Sequence, residues 1–489
     1  MQPVDFQKIL QELTYQPNAP LIFSSALFMY LFVGFLSIYL LVYKHTRLRI
    51  LYLTLFSFYF YYKSSGLYFI LLLILTISDF NIAHFIHQSR KKWLRTFLLV
   101  TSLTINLGML AYFKYTNFLF DSFYKLLNQP FENFNIFLPV GISFFTFQSL
   151  SYTIDIYRGK IEPLKKLSDY AFYLTFFPQM VAGPIVRAAD FIPQIHKTPF
   201  VSKDDFGRAI FLIAGGLFKK AVISDYISLN FVDRIFENPL LYTGFENLMG
   251  VYGYALQIYC DFSGYSDMAI GIALLLGFKL NINFDSPYQS ASITEFWRRW
   301  HISLSSWLRD YLYISLGGNR KGKIRTYINL LITMLLGGLW HGAALRFIIW
   351  GAIHGVVLAI EKMWMSVVKV PANKFTRFLG IIVTFHIVCF SWIFFRADNM
   401  EIVSQVLNQI FLNFHPEIIG NFIHGYKLVV ILMLSGFMLH FIPKSIENSF
   451  GSLVNRSPFV LKVVYLSLII ILVIQIRSSE IQPFIYFQF

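Results

Sequence analysis

Apolar residues run unbroken for about the width of a bilayer again and again along this chain. Leu21 to Tyr43, Thr96 to Phe113, Asn329 to Leu345 and Leu379 to Phe395 form such runs, and Phe459 to Ile476 is broken mainly by Lys462. As helices, each nearly or fully spans ~30 Å of hydrocarbon. Weaker runs lie near 50–62, 66–88, 136–157, 169–187, 209–226, 247–275, 347–361 and 427–443. Together they predict an all-α polytopic membrane protein of about a dozen helices, several short or broken enough to be re-entrant.

The pattern changes between Gly277 and Tyr327, where polar and basic residues concentrate. Ser292 and Glu295 have capping-box spacing. Ile293, Phe296, Trp297, Trp300, Leu304, Trp307, Leu308 and Tyr311 follow at helical spacing, predicting one amphipathic helix. His301 falls on the edge of its apolar stripe, with Arg298, Ser305 and Arg309 on the polar flank. From the helix alone, an interfacial segment lying flat with arginines on lipid phosphates is the simpler account. The turn Gly317 to Lys323, carrying Arg320 and Lys321, matches no nucleotide-binding motif and reads first as a basic cytoplasmic turn.

Composition sharpens this picture. Charged residues make up 14% of the 489, against about 25% in soluble chains, and 54 are Phe and 29 Tyr. The net charge of +15 does not indicate nucleic acid, because the cations fall between spans. Lys44, Arg47 and Arg49, then Arg90, Lys91, Lys92 and Arg95, then Arg158, Lys160, Lys165 and Lys166 alternate with pairs of spans. Read as cytoplasmic loops, they put the N-terminus outside. The first twenty residues carry Asp5 and Glu12 without a basic stretch, so the first span is expected to be retained. Cys260 and Cys389 lack neighbouring partners, leaving no disulfide framework and no metal site to read. A single membrane domain, 1–489, is expected.

Ionisable residues inside spans are costly and therefore informative. His341 lies in the otherwise apolar run Asn329 to Leu345, among Gly337, Gly338, Trp340 and Gly342. His354, His386 and His440 also fall in apolar segments, and position alone does not choose among the four. Asp261 and Asp267, six apart, point about 120° away from each other on a straight helix. They read as two separate structural acids paired with tyrosines or arginines.

Several ordered motifs resemble one family. Phe296-Trp297-Arg298-Arg299-Trp300-His301 through Arg309-Asp310-Tyr311, then Gly338-Leu339-Trp340-His341-Gly342, are similar to the membrane-bound O-acyltransferases. Phe177-Pro178-Gln179 with Ala182-Gly183-Pro184-Ile185-Val186-Arg187, the block Asp261 to Asp267, and Phe394-Phe395-Arg396-Ala397 resemble its bacterial polysaccharide branch, the alginate O-acetyltransferases among them. The resemblance covers about 135–400 as a catalytic core, with 400–489 as C-terminal membrane helices. It implies helices around a central tunnel in a bacterial cytoplasmic membrane, and acetyl transfer from cytoplasmic acetyl-CoA to an extracytoplasmic hydroxyl. It implies His341 as the catalytic histidine, His301 completing the site, and a separate hydrolase-like partner that finishes transfer to polymer. No permanently bound cofactor is implied.

The residue types suit that chemistry. A hydroxyl is a weak nucleophile until a neutral imidazole takes its proton. Direct transfer is favoured, with Ser303, Ser305 or Ser306 open as a covalent relay. Arg298, Arg309, Arg320 and Lys321 are the expected holders of donor phosphates. D-alanyl transfer to teichoic acid, lipid or protein O-acylation, and a secondary transporter are the alternatives, the last weakened by the lack of paired broken helices in matching halves.

Overall fold

The computed structural model describes residues 6–17, 19–181, 183–368, 371, 373–476 and 484. Asp5 and Ala182 lie outside the described residues. Among the described residues every regular element is helical. The chain divides into two compact units, one formed by 1–202 with 272–281, the other by 203–271 with 282–485.

The first unit contains α1 (Ala26–Val42), α2 (Thr46–Ser65), α3 (Phe69–Gln88), α4 (Lys92–Leu126), α5 (Ile142–Tyr157) and α6 (Leu167–Thr175). Between helices in lipid there is no hydrophobic transfer to gain, so shape and hydrogen bonds hold them. Phe177 accordingly fits among the rings of Phe35, Phe56 and Phe60, at centroid distances of 5.6, 5.0 and 5.7 Å. Asp79 on α3 is fully buried and accepts from Ser102 Oγ at 2.6 Å, from Asn106 Nδ2 at 2.7 Å and from Ser149 Oγ. One carboxylate thereby ties α3, α4 and α5 together, and its charge is answered by three donors.

The expected span at 169–187 is broken. α6 ends at Thr175, a short turn covers Phe177–Met180, and a helix resumes only at Ala188–Ile195. Proline supplies the physical reason, since Pro178 and Pro184 each remove a helical donor. Close approach adds to it, because a Cβ on Gly183 would stand 2.5 Å from Gln179 Cα. The motif from Phe177 to Arg187 builds this bend, with Gln148 and Gln179 both donating to Tyr173 O at 2.8 Å.

The basic loops converge on one end of this unit. Arg49 donates to Tyr43 O, Ile195 O and Lys197 O at 2.7–3.1 Å, and Arg95 donates to Tyr157 O at 2.7 Å.

The second unit contains α7 (Lys203–Leu217), α8 (Gly244–Leu275, its last turn counted with the first unit), α9 (Lys323–His341), α10 (Leu345–Met365), α11 (Lys374–Arg396), α12 (Met400–Leu412), α13 (Lys427–Phe441), α14 (Lys444–Arg456) and α15 (Phe459–Ile476). α9 and α10 pack backbone to backbone. A Cβ on Gly338 would lie 2.2 Å from Phe347 O, and one on Gly351 would lie 2.3 Å from Met334 O. Only glycine permits that approach, and it fixes where the end of α9 sits.

α14 carries a polar and an apolar stripe, and both are largely exposed. Its polar stripe, Lys444, Glu447, Asn448, Ser452 and Asn455, lines an open cavity of about 580 Å³ that also contains the Lys219–Asp267 pair. Its apolar stripe, Ile446, Phe450 and Leu453, is exposed on the outside. Such a face is stable against acyl chains and not against water.

Among the described residues five helical stretches, with Thr46–Gln88 counted as one, are long and apolar enough to cross a bilayer, six if the pair Pro416–Gly425 and Lys427–Phe441, bent by 100°, counts as one span. The expected set of about a dozen includes shorter and re-entrant segments, and α1, an apolar helix of 17 residues, is one of the shorter ones. The bent pair matches the expectation of broken, re-entrant segments.

Candidate active site

His301 and His341 both lie in the second unit, buried at 0% and 3% exposure. Neither occupies the local structure that periodicity suggested. The continuous amphipathic helix expected from Ser292 to Tyr311 stops at Arg299 and restarts at Ile302, running into a π-helical stretch, Leu308–Tyr313. His301 itself takes the left-handed conformation, φ 43° and ψ 56°.

A neighbouring extended segment causes the break. Ile302 N donates to Asn283 O at 2.9 Å, Ser303 N donates to Asn283 Oδ1 at 3.2 Å, and Asp285 N donates to Arg299 O at 2.9 Å. These bonds replace those that a continuing helix would make internally, so tertiary pairing overrides local periodicity. The N-terminus of the first piece is held as expected on one side, with Ser292 Oγ accepting from Glu295 N at 3.1 Å. The other half of the capping box does not form, because Glu295 Oε2 accepts from Ala291 N. Glu361 from α10 instead receives Ile293 N at 2.8 Å.

Asn283 also fixes the state of His301. Its Oδ1 lies 3.1 Å from His301 Nδ1 and 2.9 Å from Ser303 Oγ. Backbone Ser303 N can only donate, so the atom it meets is the amide oxygen, and His301 Nδ1 must carry the hydrogen. Nε2 then holds the ring's lone pair. Phe262 packs edge-on to the ring at 4.6 Å, and burial pushes the imidazole down to about 3. His301 is therefore a neutral, oriented base or acceptor.

His341 is the last residue of α9, not the interior of a span. Its ring is boxed by Trp340, Trp350 and Phe395 at 5.0, 4.9 and 5.2 Å. Trp340 also reaches His301, at 6.2 Å. One indole thus joins the two histidines.

The other intramembrane histidines have packing roles. His354 Nε2 donates to Ser391 Oγ at 2.9 Å, since that hydroxyl gives its own hydrogen to Val388 O. His386 meets Tyr252 OH at 2.9 Å, and His440 Nε2 accepts from Tyr288 N at 3.0 Å. Asp261 and Asp267 pair with consecutive lysines, not with the tyrosines or arginines expected. Lys220 meets Asp261 at 2.5 Å, and Lys219 meets Asp267 at 2.7 Å.

A cavity of about 550 Å³ opens beside this site. Arg298 and Arg309 both line it, with Trp297, Ser305, Ser306 and Met334. Trp297 packs edge-on against Trp350 at 5.7 Å, and Trp350 packs on His341, so two aromatic rings link the cavity wall to His341. Ser305 and Ser306 donate to Trp300 O and Ser303 O. Arg320 and Lys321 are exposed on the turn after the π-helical stretch, and the cavity's lining does not include them. Among the described residues no group of three or more His, Cys, Asp or Glu is placed to hold a metal.

Sequence reasoning missed Asn283, Trp350 and Glu361. Asn283 alone gave a readable signal, an amide within the polar stretch that begins at Gly277.

With this geometry in view, comparison with known proteins is direct. Residues 9–404 match the family described as MBOAT, membrane-bound O-acyltransferase. A protein of Pseudomonas aeruginosa named "Probable alginate O-acetylase AlgI" is 42% identical over 407 residues, 80% of this chain and 75% of the relative. A Helicobacter pylori protein named peptidoglycan O-acetyltransferase is 36% identical over 417 residues, 79% of each chain. A Bacillus subtilis teichoic acid D-alanyltransferase is 30% identical over 282 residues, 54% of this chain and 70% of the relative. The paired buried histidines, the arginine-lined cavity beside them and the match over most of the chain agree, and this multi-pass membrane protein belongs to the membrane-bound O-acyltransferase family.

Proposed function

We propose that the protein moves an acetyl group from acetyl-CoA to a hydroxyl of an extracytoplasmic cell-surface polysaccharide, or of a partner protein serving it. The observation that carries this reading is the aromatic box around His341, two rings from a cavity bearing two arginines. Relatives named for acetylation of alginate and of peptidoglycan support an acetyl donor and a glycan acceptor.

In this mechanism the acceptor oxygen attacks the thioester carbonyl carbon while His341 takes the hydroxyl proton. The C–S bond then breaks, the imidazolium returns the proton to the thiolate, and an O-acetyl ester and free thiol leave. His301, neutral and with its lone pair on Nε2, orients His341 or the acceptor. Arg298 and Arg309 hold the donor's phosphates. The convergence of the basic loops at one end of the first unit supports a cytoplasmic face there and an extracytoplasmic N-terminus. A separate hydrolase-like protein completes transfer to polymer.

The test is thioester cleavage by purified protein in nanodiscs. Acetyl-CoA cleavage stimulated by a glycan acceptor is expected. Cleavage only of a D-alanyl carrier thioester would move the chain to the teichoic acid branch, and no thioester cleavage at all would overturn the reading. Within the same assay, Arg298→Gln with Arg309→Gln is expected to raise the acetyl-CoA KM roughly tenfold or more, the worth of one charge-assisted hydrogen bond. kcat should stay within about twofold, because a phosphate held equally in ground and transition states contributes nothing to the chemical step.

A further inference from the structure

The basic end of the first unit contains a third cavity, of about 890 Å³, that the acyl-transfer reading does not use. Its mouth is cationic. Arg47, at the start of α2, and Lys166, just before α6, both line it, as does His196. Two helix N-termini converge there as well. α2 begins at Thr46 after an extended His45, α6 begins at Leu167 after an extended Lys166, and neither start has a side-chain cap. Uncapped first-turn amides carry partial positive charge and are ready donors to an anion. The one carboxylate among the lining residues, Asp169, meets His196 Nε2 at 2.8 Å.

Below the mouth the wall is apolar. Ile50, Leu51, Leu55 and Phe58 descend along α2 from Arg47, and eleven residues of helix cover ~16 Å. Leu51 and Leu55 are more than half exposed. Thr54 interrupts this wall. It is nine-tenths buried, lines the cavity, and its hydroxyl has no hydrogen-bond partner in the protein. A ligand that fits has an anionic head, an apolar tail and, between them, an acceptor for a hydroxyl. A free phosphate or nucleotide uses only the mouth, whereas a phospholipid uses mouth, hydroxyl and wall.

We propose that this cavity is a binding site for one anionic phospholipid, its phosphate held by Arg47, Lys166 and the starts of α2 and α6, an ester carbonyl facing Thr54, and an acyl chain along α2. The site is independent of the acyl-transfer chemistry. It anchors the junction of the three chain segments that line the cavity, 46–58, 166–171 and His196.

Full-length protein reconstituted in phosphatidylcholine vesicles tests this with spin-labelled phosphatidylglycerol and phosphatidylcholine, reading the motionally restricted fraction of each. A several-fold preference for phosphatidylglycerol is expected in the wild type. It should fall to near parity in R47Q/K166Q. It should fall equally in Leu55→Trp or Leu51→Trp, which fill the wall at lipid-exposed positions without changing charge. Unfolding midpoints in pure phosphatidylcholine, unchanged across these variants, exclude misfolding as the cause. Full preference in both tryptophan variants would mean charge attraction to the annulus alone and overturn the proposal. So would an unchanged preference in R47Q/K166Q. Displacement of the labelled lipid by coenzyme A or inorganic phosphate would assign the mouth to a free phosphate group instead.

Discussion

His341→Ala lowers kcat for acyl transfer by about 10²- to 10⁴-fold, the range set by removing a positioned general base. The donor KM stays within a few-fold, because the imidazole meets the acceptor proton only as the bond forms. The box of Trp340, Trp350 and Phe395 makes the loss hard to rescue from solvent, since the rings leave His341 only 3% exposed. His341→Gln, which keeps a polar atom but cannot take a proton at neutral pH, is expected to be as inactive as alanine. His386→Ala is the comparison. That ring bonds Tyr252 and the Ile382 carbonyl, so its loss affects packing and leaves kcat within about threefold. Purified variants assayed side by side for thioester cleavage decide the matter. A His341→Ala enzyme with wild-type turnover would remove this residue from the chemistry.

Contrast between these histidines shows what the sequence could and could not convey. All four lie in apolar runs, and only the Trp-His-Gly context set His341 apart before its neighbours were known. The helical pattern from Ile293 to Tyr311 was legible in its apolar spacing, yet the break at His301 was not. Its cause sits on another segment, Asn283 to Asp285, whose hydrogen bonds compete with those of the helix. Composition gave the membrane character without the count of spans, because Pro178 and Pro184 shorten one run and the 100° bend before α13 folds another back. Arg298 and Arg309 share a flank of the apolar pattern and line one cavity, although the break at His301 puts them on separate helical pieces. Arg320 and Lys321 were grouped with them by charge alone, and a turn of the chain carries them elsewhere. Asp261 and Asp267 were legible as separate structural acids, but their lysine partners, adjacent in a π-helical stretch, obeyed no spacing rule that the sequence displays.

Asn283→Leu is expected to lower kcat by roughly 30- to 100-fold, about 2–3 kcal/mol, since it leaves the buried Ser303 N–H and His301 Nδ1–H without their shared acceptor. The donor KM should not move, which separates this effect from general loss of the site. Asn283→Asp carries the sharper information. A carboxylate accepts the same two hydrogen bonds and keeps the hydrogen on Nδ1, so substantial activity is retained. Its negative charge, however, favours imidazolium and raises the His301 pKa from the low value of about 3 that burial imposes. The acid limb of the pH–rate profile therefore moves to higher pH in Asn283→Asp. The sign for stability follows from the same pKa. In the wild type the folded His301 binds its proton more weakly than the unfolded ring near 6.5, so the unfolded state takes up more protons as pH falls. Stability from burying neutral His301 is fully present above about pH 6.5 and declines toward pH 3. In Asn283→Asp that decline is shallower, because folded and unfolded values lie closer together. Unfolding midpoints in detergent between pH 7.5 and 5, measured with the pH–rate profiles, test both consequences. A profile identical to wild type in the aspartate variant, or full kcat in the leucine variant, would show that Asn283 shapes the backbone break alone and does not set the state of the imidazole.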